Sequence, residues 1–164
     1  MKKTDTIKTR ILDRQQLIQE VVRLRLKSKT IAFTNGVFDI LHEGHIAVLS
    51  KAASFADILI VGINSDASVK KIKGEDRPVN NENSRALILA SLIMVDNVVI
   101  FEEETPLEII KLIQPDVLLK GGDYTLDTIV GAKEVIAHGG RVEIVPLLEG
   151  FSTTNIIKKF GNSK

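Results

Sequence analysis

Residues 30–45, Thr-Ile-Ala-Phe-Thr-Asn-Gly-Val-Phe-Asp-Ile-Leu-His-Glu-Gly-His, decide how the rest of the chain is read. Thr30–Thr34 is a short, largely apolar run, as a strand buried on both faces requires. It passes directly into Asn35–Gly36, where glycine permits a tight bend, and then into a polar turn. A helical pattern runs from Gly44 to about Phe55, and a second apolar strand, Ala56–Ile63, follows. Strand, turn, helix and strand in this order form a β–α–β unit, whose two strands lie parallel.

The same alternation extends in both directions. Upstream, residues 1 to about 10 read as a polar lead. Asp13 and Gln16 then have capping-box spacing before a helix carrying Leu17, Ile18, Val21, Val22 and Leu24. Downstream, Ser65 or Asp66 caps a short helix ending near Lys71, and Lys73–Asn81 is rich in Gly, Pro and Asn and reads as a loop. A helix from Ser84 to about Met94 precedes a third strand, Val98–Phe101. Thr105–Pro106–Leu107–Glu108 supplies an N-cap, a proline at the first helical position and an acid for the next helix, which Pro115 ends. Val117–Leu119 is a fourth strand. Asp127 to about His138 is a helix stopped by Gly139–Gly140, Val142–Val145 a fifth strand, and Ser152–Phe160 a terminal helix. The expectation is an α/β fold, a Rossmann-like open five-stranded parallel sheet with helices on both faces. Residues 1–28 would be a lead and packing helix and 29–164 the core of what is one domain overall.

Composition narrows the function. The 164 residues suit one domain, and 44% hydrophobic with only 4% aromatic means that aliphatic side chains fill its core. Lys and Arg number 22 against 21 Asp and Glu, so the net charge of +1 gives no electrostatic footprint for a nucleic acid. The absence of cysteine excludes disulfides, thiolate catalysis and cysteine-bound zinc. The opening MKKTDTIKTR lacks the apolar centre of a secretory signal, and no apolar run approaches the about 18 residues of a membrane span. A cytoplasmic protein with no membrane partner is expected.

The chemistry concentrates where the first strand ends. His42 and His45 are three residues apart and can approach one ligand across a loop-to-helix turn, while Gly44 lets backbone come close at a helix start, where free amides attract phosphate. The segment is neither a GxxxxGK[ST] loop nor a GxGxxG fingerprint. Residue chemistry alone leaves three readings open: phosphate handling, a divalent metal on the histidines and Asp39, or a turn capped by Asp39 with locally bonded histidines. Lys73 and Arg77, with Lys70 and Lys71 as alternatives, offer cations from the loop, and Arg85 fits either a phosphate contact or helix packing. His138, before Gly139–Gly140, suits the negative end of a helix dipole and has a structural role.

The run Gly36-Val37-Phe38-Asp39-Ile40-Leu41-His42-Glu43-Gly44-His45 resembles the Gly-x-Phe-Asp-x-x-His-x-Gly-His pattern of the nucleotidyltransferases related to cytidylyltransferases. The resemblance extends to Asn64–Ser65–Asp66, Lys73–Asn80, Lys120–Tyr124 and Glu149–Thr154, and within the family it points to the adenylyltransferases that make ADP-heptose. It implies transfer of AMP from ATP to D-glycero-β-D-manno-heptose 1-phosphate with release of pyrophosphate. It implies His42, His45 and Lys73 as catalytic groups, and Thr34, Asn35, Gly36, Phe38, Gly44, Lys120, Gly122, Ser152, Thr153 and Thr154 around the nucleotide. Asp39, Arg77, Asp123 and Tyr124 would meet the acceptor, and Mg²⁺ would be held mainly by the ATP phosphates. A homodimer and a separate heptose kinase in the same pathway are the partners implied. Where the glycerol-phosphate cytidylyltransferase branch carries arginine three residues before Gly150, this chain has Leu147, which argues against CTP. The alternatives are another sugar- or alcohol-phosphate nucleotidyltransferase, including one using CTP, and a nucleotide-sensing module without catalysis.

Overall fold

The strands form where apolar residues run nearly unbroken, and the helices form where a polar residue can cap their first free amides. The computed structural model describes residues 6–146 of the chain. Its regular elements are β1 (Ile11–Leu12), α1 (Arg14–Leu26), β2 (Ile31–Gly36), α2 (Glu43–Ala53), β3 (Ile58–Asn64), α3 (Asp66–Lys73) and α4 (Glu82–Ala90). They continue with β4 (Asn97–Phe101), α5 (Leu107–Ile113), β5 (Val117–Gly121), α6 (Ala132–Ala137) and β6 (Arg141–Val145). The strands make one sheet in the order β1-β4-β3-β2-β5-β6, with every pairing parallel.

The sheet has six strands where five were expected. The extra one, β1, is a two-residue edge strand pairing Ile11 and Leu12 with Val98 and Val99. Two residues carry no readable alternation. The end of the polar lead is nonetheless held at Arg10, which donates to the carbonyls of Ala90 and Val95 at 3.3 and 3.2 Å.

Alternation along the strands separates two cores. Ile31, Phe33, Ile60, Val99 and Leu118 point to one face, under Leu17, Val21 and Leu24 of α1 and Ile109, Ile110 and Ile113 of α5. Ala32, Leu59, Val61, Val98 and Leu119 point to the other, under Val48, Leu49 and Ala52 of α2 and Ala86, Leu89 and Ala90 of α4. Period-two burial on both faces of parallel strands is what makes their sequences read as continuous apolar runs.

Several helix boundaries differ from the sequence reading. The Asp13–Gln16 capping box of α1 forms as expected, and Ser65 caps α3 by accepting from the Ser68 amide. Helix α4 starts before Ser84, because the Asn81 side chain accepts from the Ser84 amide at 2.9 Å and serves as the cap. Pro106 occupies the cap of α5 rather than its first turn, and its carbonyl receives the Ile110 amide. The helix expected over 127–138 is broken into a 3-10 turn, Leu126–Thr128, and α6. Gly131 causes the break: its φ is +85°, and a Cβ there would lie 2.5 Å from Ile110 Cδ1. His138 closes α6 structurally, donating from Nδ1 to the Glu134 carbonyl at 2.9 Å and accepting from Gln114 Nε2 at 2.8 Å. The expected helix Ser152–Phe160 lies outside the described residues.

Candidate active site

From β2 the chain moves outward through β3 to β4, then returns to place β5 on the other side of β2. Such a reversal opens a crevice beyond the carboxyl ends of the strands, where open α/β sheets bind ligands. Here the crevice is a cleft of 530 Å³ whose floor is the exit of β2 and the first turn of α2, with His42, Gly44 and His45 on its wall.

The turn that carries the histidines is shaped by Phe38. This residue takes the left-handed conformation, with φ of +47°, unusual for a bulky side chain. Burial of its ring fixes it there: a Cβ on Gly36 would stand 3.0 Å from Phe38 Cε2, and the ring centroid lies 5.1 Å from that of His45. Gly36 is therefore required by the close approach of the Phe38 ring rather than by its own backbone angle. His42 is the N-cap residue of α2, extended with φ of −144°, and its carbonyl accepts from the amides of His45 and Ile46. The two imidazoles stack with centroids 3.8 Å apart and planes 22° from parallel.

This packing sets their charge. Burial pushes His45 down to about 4, its neighbour His42 adds to the shift, and the Ile40 backbone opposes it. Burial lowers His42 as well. At neutral pH the pair is uncharged, and each ring offers one N–H donor. Across the cleft, burial brings Lys120 down to about 8, and its ammonium donates to the Asn35 carbonyl at 3.3 Å. The Oδ1 of Asn35 is buried with no hydrogen-bond partner among the described residues. A buried acceptor, a partly desolvated lysine and the amide end of a helix together suit an anionic ligand that also carries hydrogen-bond donors.

Asp39 and Arg77 work beneath this wall. The Asp39 side chain is 1% exposed and accepts from Arg77 Nε at 2.8 Å, from the Val79 amide at 2.9 Å and from the Asn80 amide at 2.9 Å. Burial alone would raise its pKa, but the Asn80 and Val79 amides and the Arg77 guanidinium outweigh it and hold the carboxyl below its ordinary range. Arg85, read from sequence as either a phosphate contact or a packing residue, is a packing residue. Its side chain is fully buried and donates to the Asn80 carbonyl, the Val37 carbonyl and Asp66 Oδ1 at 2.9, 2.8 and 2.7 Å. Between them Asp39 and Arg85 fasten residues 77–80 to the histidine turn.

Of the residues singled out from sequence, Thr34, Asn35, Gly36, Phe38, His42, Gly44, His45, Lys120 and Tyr124 line the cleft together. Asp39, Arg77, Lys73, Gly122 and Asp123 do not line it. Asp39 and Arg77 are engaged with one another, and Lys73 is the last, exposed residue of α3. Ser152, Thr153 and Thr154 lie outside the described residues. Asn64, in a segment that carried the family resemblance but was given no role, also lines the cleft, as do Ile72, Glu104, Thr105, Pro106 and Thr128–Val130, which sequence reasoning did not place at the site. The signal for Glu104–Pro106 was positional, as it was for Asn64: Asn64 ends β3 and Glu104–Pro106 follow β4, on the edge where parallel strands present ligands. Among the described residues no group of three or more His, Cys, Asp or Glu side chains could hold a metal ion, so the histidine–Asp39 metal reading fails.

Comparison with known proteins agrees with this geometry. The chain is 51% identical over 150 residues to the bifunctional protein HldE of Koribacter versatilis, covering 92% of this chain and 31% of that protein. It is 54% identical over 147 residues to the HldE of Nitrobacter winogradskyi, covering 90% of this chain and 30% of that one. The chain thus spans about a third of the length of the curated relatives it matches. A lipopolysaccharide core biosynthesis protein from Thermoplasma volcanium superposes with a TM-score of 0.58 at 28% identity, covering 73% of this chain and 97% of its own. The pantoate-β-alanine ligase of Francisella tularensis shares the fold, with a TM-score of 0.68 at 19% identity over 90% of this chain and 72% of its own. The family model described as cytidylyltransferase-like matches residues 33–159, from the strand that delivers the histidine turn through every part of the cleft, and the chain belongs to that family.

Proposed function

We propose that the protein transfers AMP from ATP to D-glycero-β-D-manno-heptose 1-phosphate, giving ADP-heptose and pyrophosphate. The observation that carries this reading is the stacked His42–His45 pair at the amide end of α2, lining one cleft together with Lys120. Family membership supports the reaction class, and the resemblance of the 33–45, 73–80 and 120–124 segments to adenylyltransferases that make ADP-heptose supports the acceptor.

In the reaction a phosphate oxygen of the sugar attacks the α-phosphorus of ATP. A new P–O bond forms, the bond to the β-phosphate bridge breaks, and pyrophosphate leaves with the electron pair. A phosphate monoester has a second pKa near 6 and is largely dianionic at neutral pH, so no general base is needed. The protein's task is alignment and stabilisation of charge gathering on the α-phosphate oxygens. His42 and His45 supply one N–H each, the first-turn amides of α2 add fixed dipoles, and Lys120 regains its full charge beside the phosphates. Mg²⁺ would enter on the ATP phosphates and water, as suits an ion that keeps several waters, since the described residues form no cage for it. Lys73, on the last turn of α3 with Lys70 and Lys71, would reach the outer phosphates.

The test is magnesium-dependent pyrophosphate release from ATP and heptose 1-phosphate, with product mass identifying ADP-heptose. His42→Ala and His45→Ala should each lower turnover by about 10²–10³-fold. A folded wild-type protein that binds ATP but releases no pyrophosphate with this acceptor would refute the assignment.

A further inference from the structure

The cleft has two unlike arms on either side of the histidine pair. On the β5 side stand Tyr124, Ile129 and Val130, and on the β4 side stand Asn64, Glu104 and Thr105. The β4-side rim is firmly built. The Ser65 amide donates to the Phe101 carbonyl at 2.8 Å, and Ser68 Oγ donates to the Glu103 carbonyl at 3.0 Å. Asn64 Nδ2 in turn donates to Ser68 Oγ at 3.0 Å, and Pro106 is buried just beyond. Glu103 turns away to pair with Arg14 at 3.0 Å. Glu104 is left lining the cleft, and among the described residues no lysine or arginine forms an ion pair with it.

A lone carboxylate is an odd neighbour for a phosphate site, because like charges repel there. The ligand that reconciles the two carries its negative charge at one end and hydrogen-bond donors at the other. Adjacent sugar hydroxyls meet this need: they donate to both oxygens of a carboxylate, and the Thr105 hydroxyl beside it both donates and accepts.

We infer that Glu104, with Thr105, recognises hydroxyls of the acceptor sugar on the β4 side of the cleft. This rests on the proposed reaction and adds to it the residue that selects a polyhydroxyl acceptor. Steady-state kinetics of the full chain with ATP and heptose 1-phosphate provide the test, beginning with the wild type. Glu104→Ala should raise the acceptor KM by about 10- to 100-fold, the loss of charge-assisted hydrogen bonds, and leave the ATP KM within about twofold. Glu104→Gln, which keeps one acceptor oxygen, should fall between, and Thr105→Val should shift the acceptor KM alone. A Glu104→Ala variant that raises the ATP KM instead, or changes neither, overturns the inference. If the wild type shows no turnover, the proposed reaction fails, and calorimetric binding of heptose 1-phosphate decides this inference separately. Binding weakened by Glu104→Ala sustains it; equal binding, or none to the wild type, overturns it.

Discussion

Lowering the pH from 7 toward 4 forces a proton onto a histidine pair packed to exclude it. His45 lies under the Phe38 ring and stacks on His42, and burial holds it at about 4 against an ordinary value near 6.5. The unfolded chain therefore binds a proton over this interval that the folded chain refuses. With more protons on the unfolded side, stability rises with pH through the window, so it is lost as pH falls from about 6.5 to about 4. The interval corresponds to a ceiling of about 3 kcal/mol, and solvent reaching one edge of the cleft reduces this to about 2 kcal/mol. Because the rings are coupled, the loss belongs to the pair, with His45 the larger part. Urea unfolding of the wild type and His45→Gln across this range measures it directly. The wild type should lose about 2 kcal/mol more than the variant between pH 6.5 and pH 4. Parallel pH profiles, or a His45 imidazole titrating near 6.5 by NMR, would refute the reasoning.

Lys120 supplies a test at the opposite end of the pH scale. Sitting at about 8, it should take up as much as about one proton when ATP binds at slightly alkaline pH, read by calorimetry in buffers of different ionisation heat. Lys120→Met should abolish that uptake, and equal uptake in the variant would remove the lysine from the phosphate site. Arg85→Met strands the Val37 and Asn80 carbonyls and the Asp66 carboxylate, and should cost about 3 kcal/mol in urea unfolding. Arg85→Lys should recover part of this through Asp66, and wild-type stability in the Met variant would show that the clamp carries nothing. Gly131→Ala sets a side chain at φ of +85° against Ile110 and should lower stability by about 2 kcal/mol or more, seen as a fall in Tm.

The sheet was legible because its strands are buried on both faces: Ile31–Thr34 and Leu59–Ile63 stand as unbroken apolar or small runs bounded by polar turns. The histidine turn was legible because its residue types and spacing lie together in one short segment. What escaped belongs to longer range. β1 exists because Arg10 and β4 hold it, and nothing in Ile11–Leu12 says so locally. The break before α6 comes from Ile110 filling the space where a Gly131 side chain would go, a contact across 21 positions of sequence. Asp39 was expected at the acceptor from the family resemblance, and only the fold shows the partners that hold it, Arg77 and the amides of Val79 and Asn80. Glu104 was hidden for the converse reason, since no local pattern marks a carboxylate that only the fold brings to the cleft.

The central place of β2 has a consequence for motion. This strand is laddered to β3 along Ile31–Gly36 and to β5 along Ala32–Thr34, and Arg85 and Asp39 bolt the turn beyond it to residues 77–80. Shifting the floor of the cleft means breaking two ladders and a buried clamp at once, so its amides should be among the slowest to exchange with solvent. The β5 exit is tied differently: Gly122 reaches the Val145 carbonyl, while Thr125 and Thr128 bond chiefly to each other. The amides of residues 123–128 should therefore exchange faster than those of β2, a contrast set by which strand is laddered on both sides.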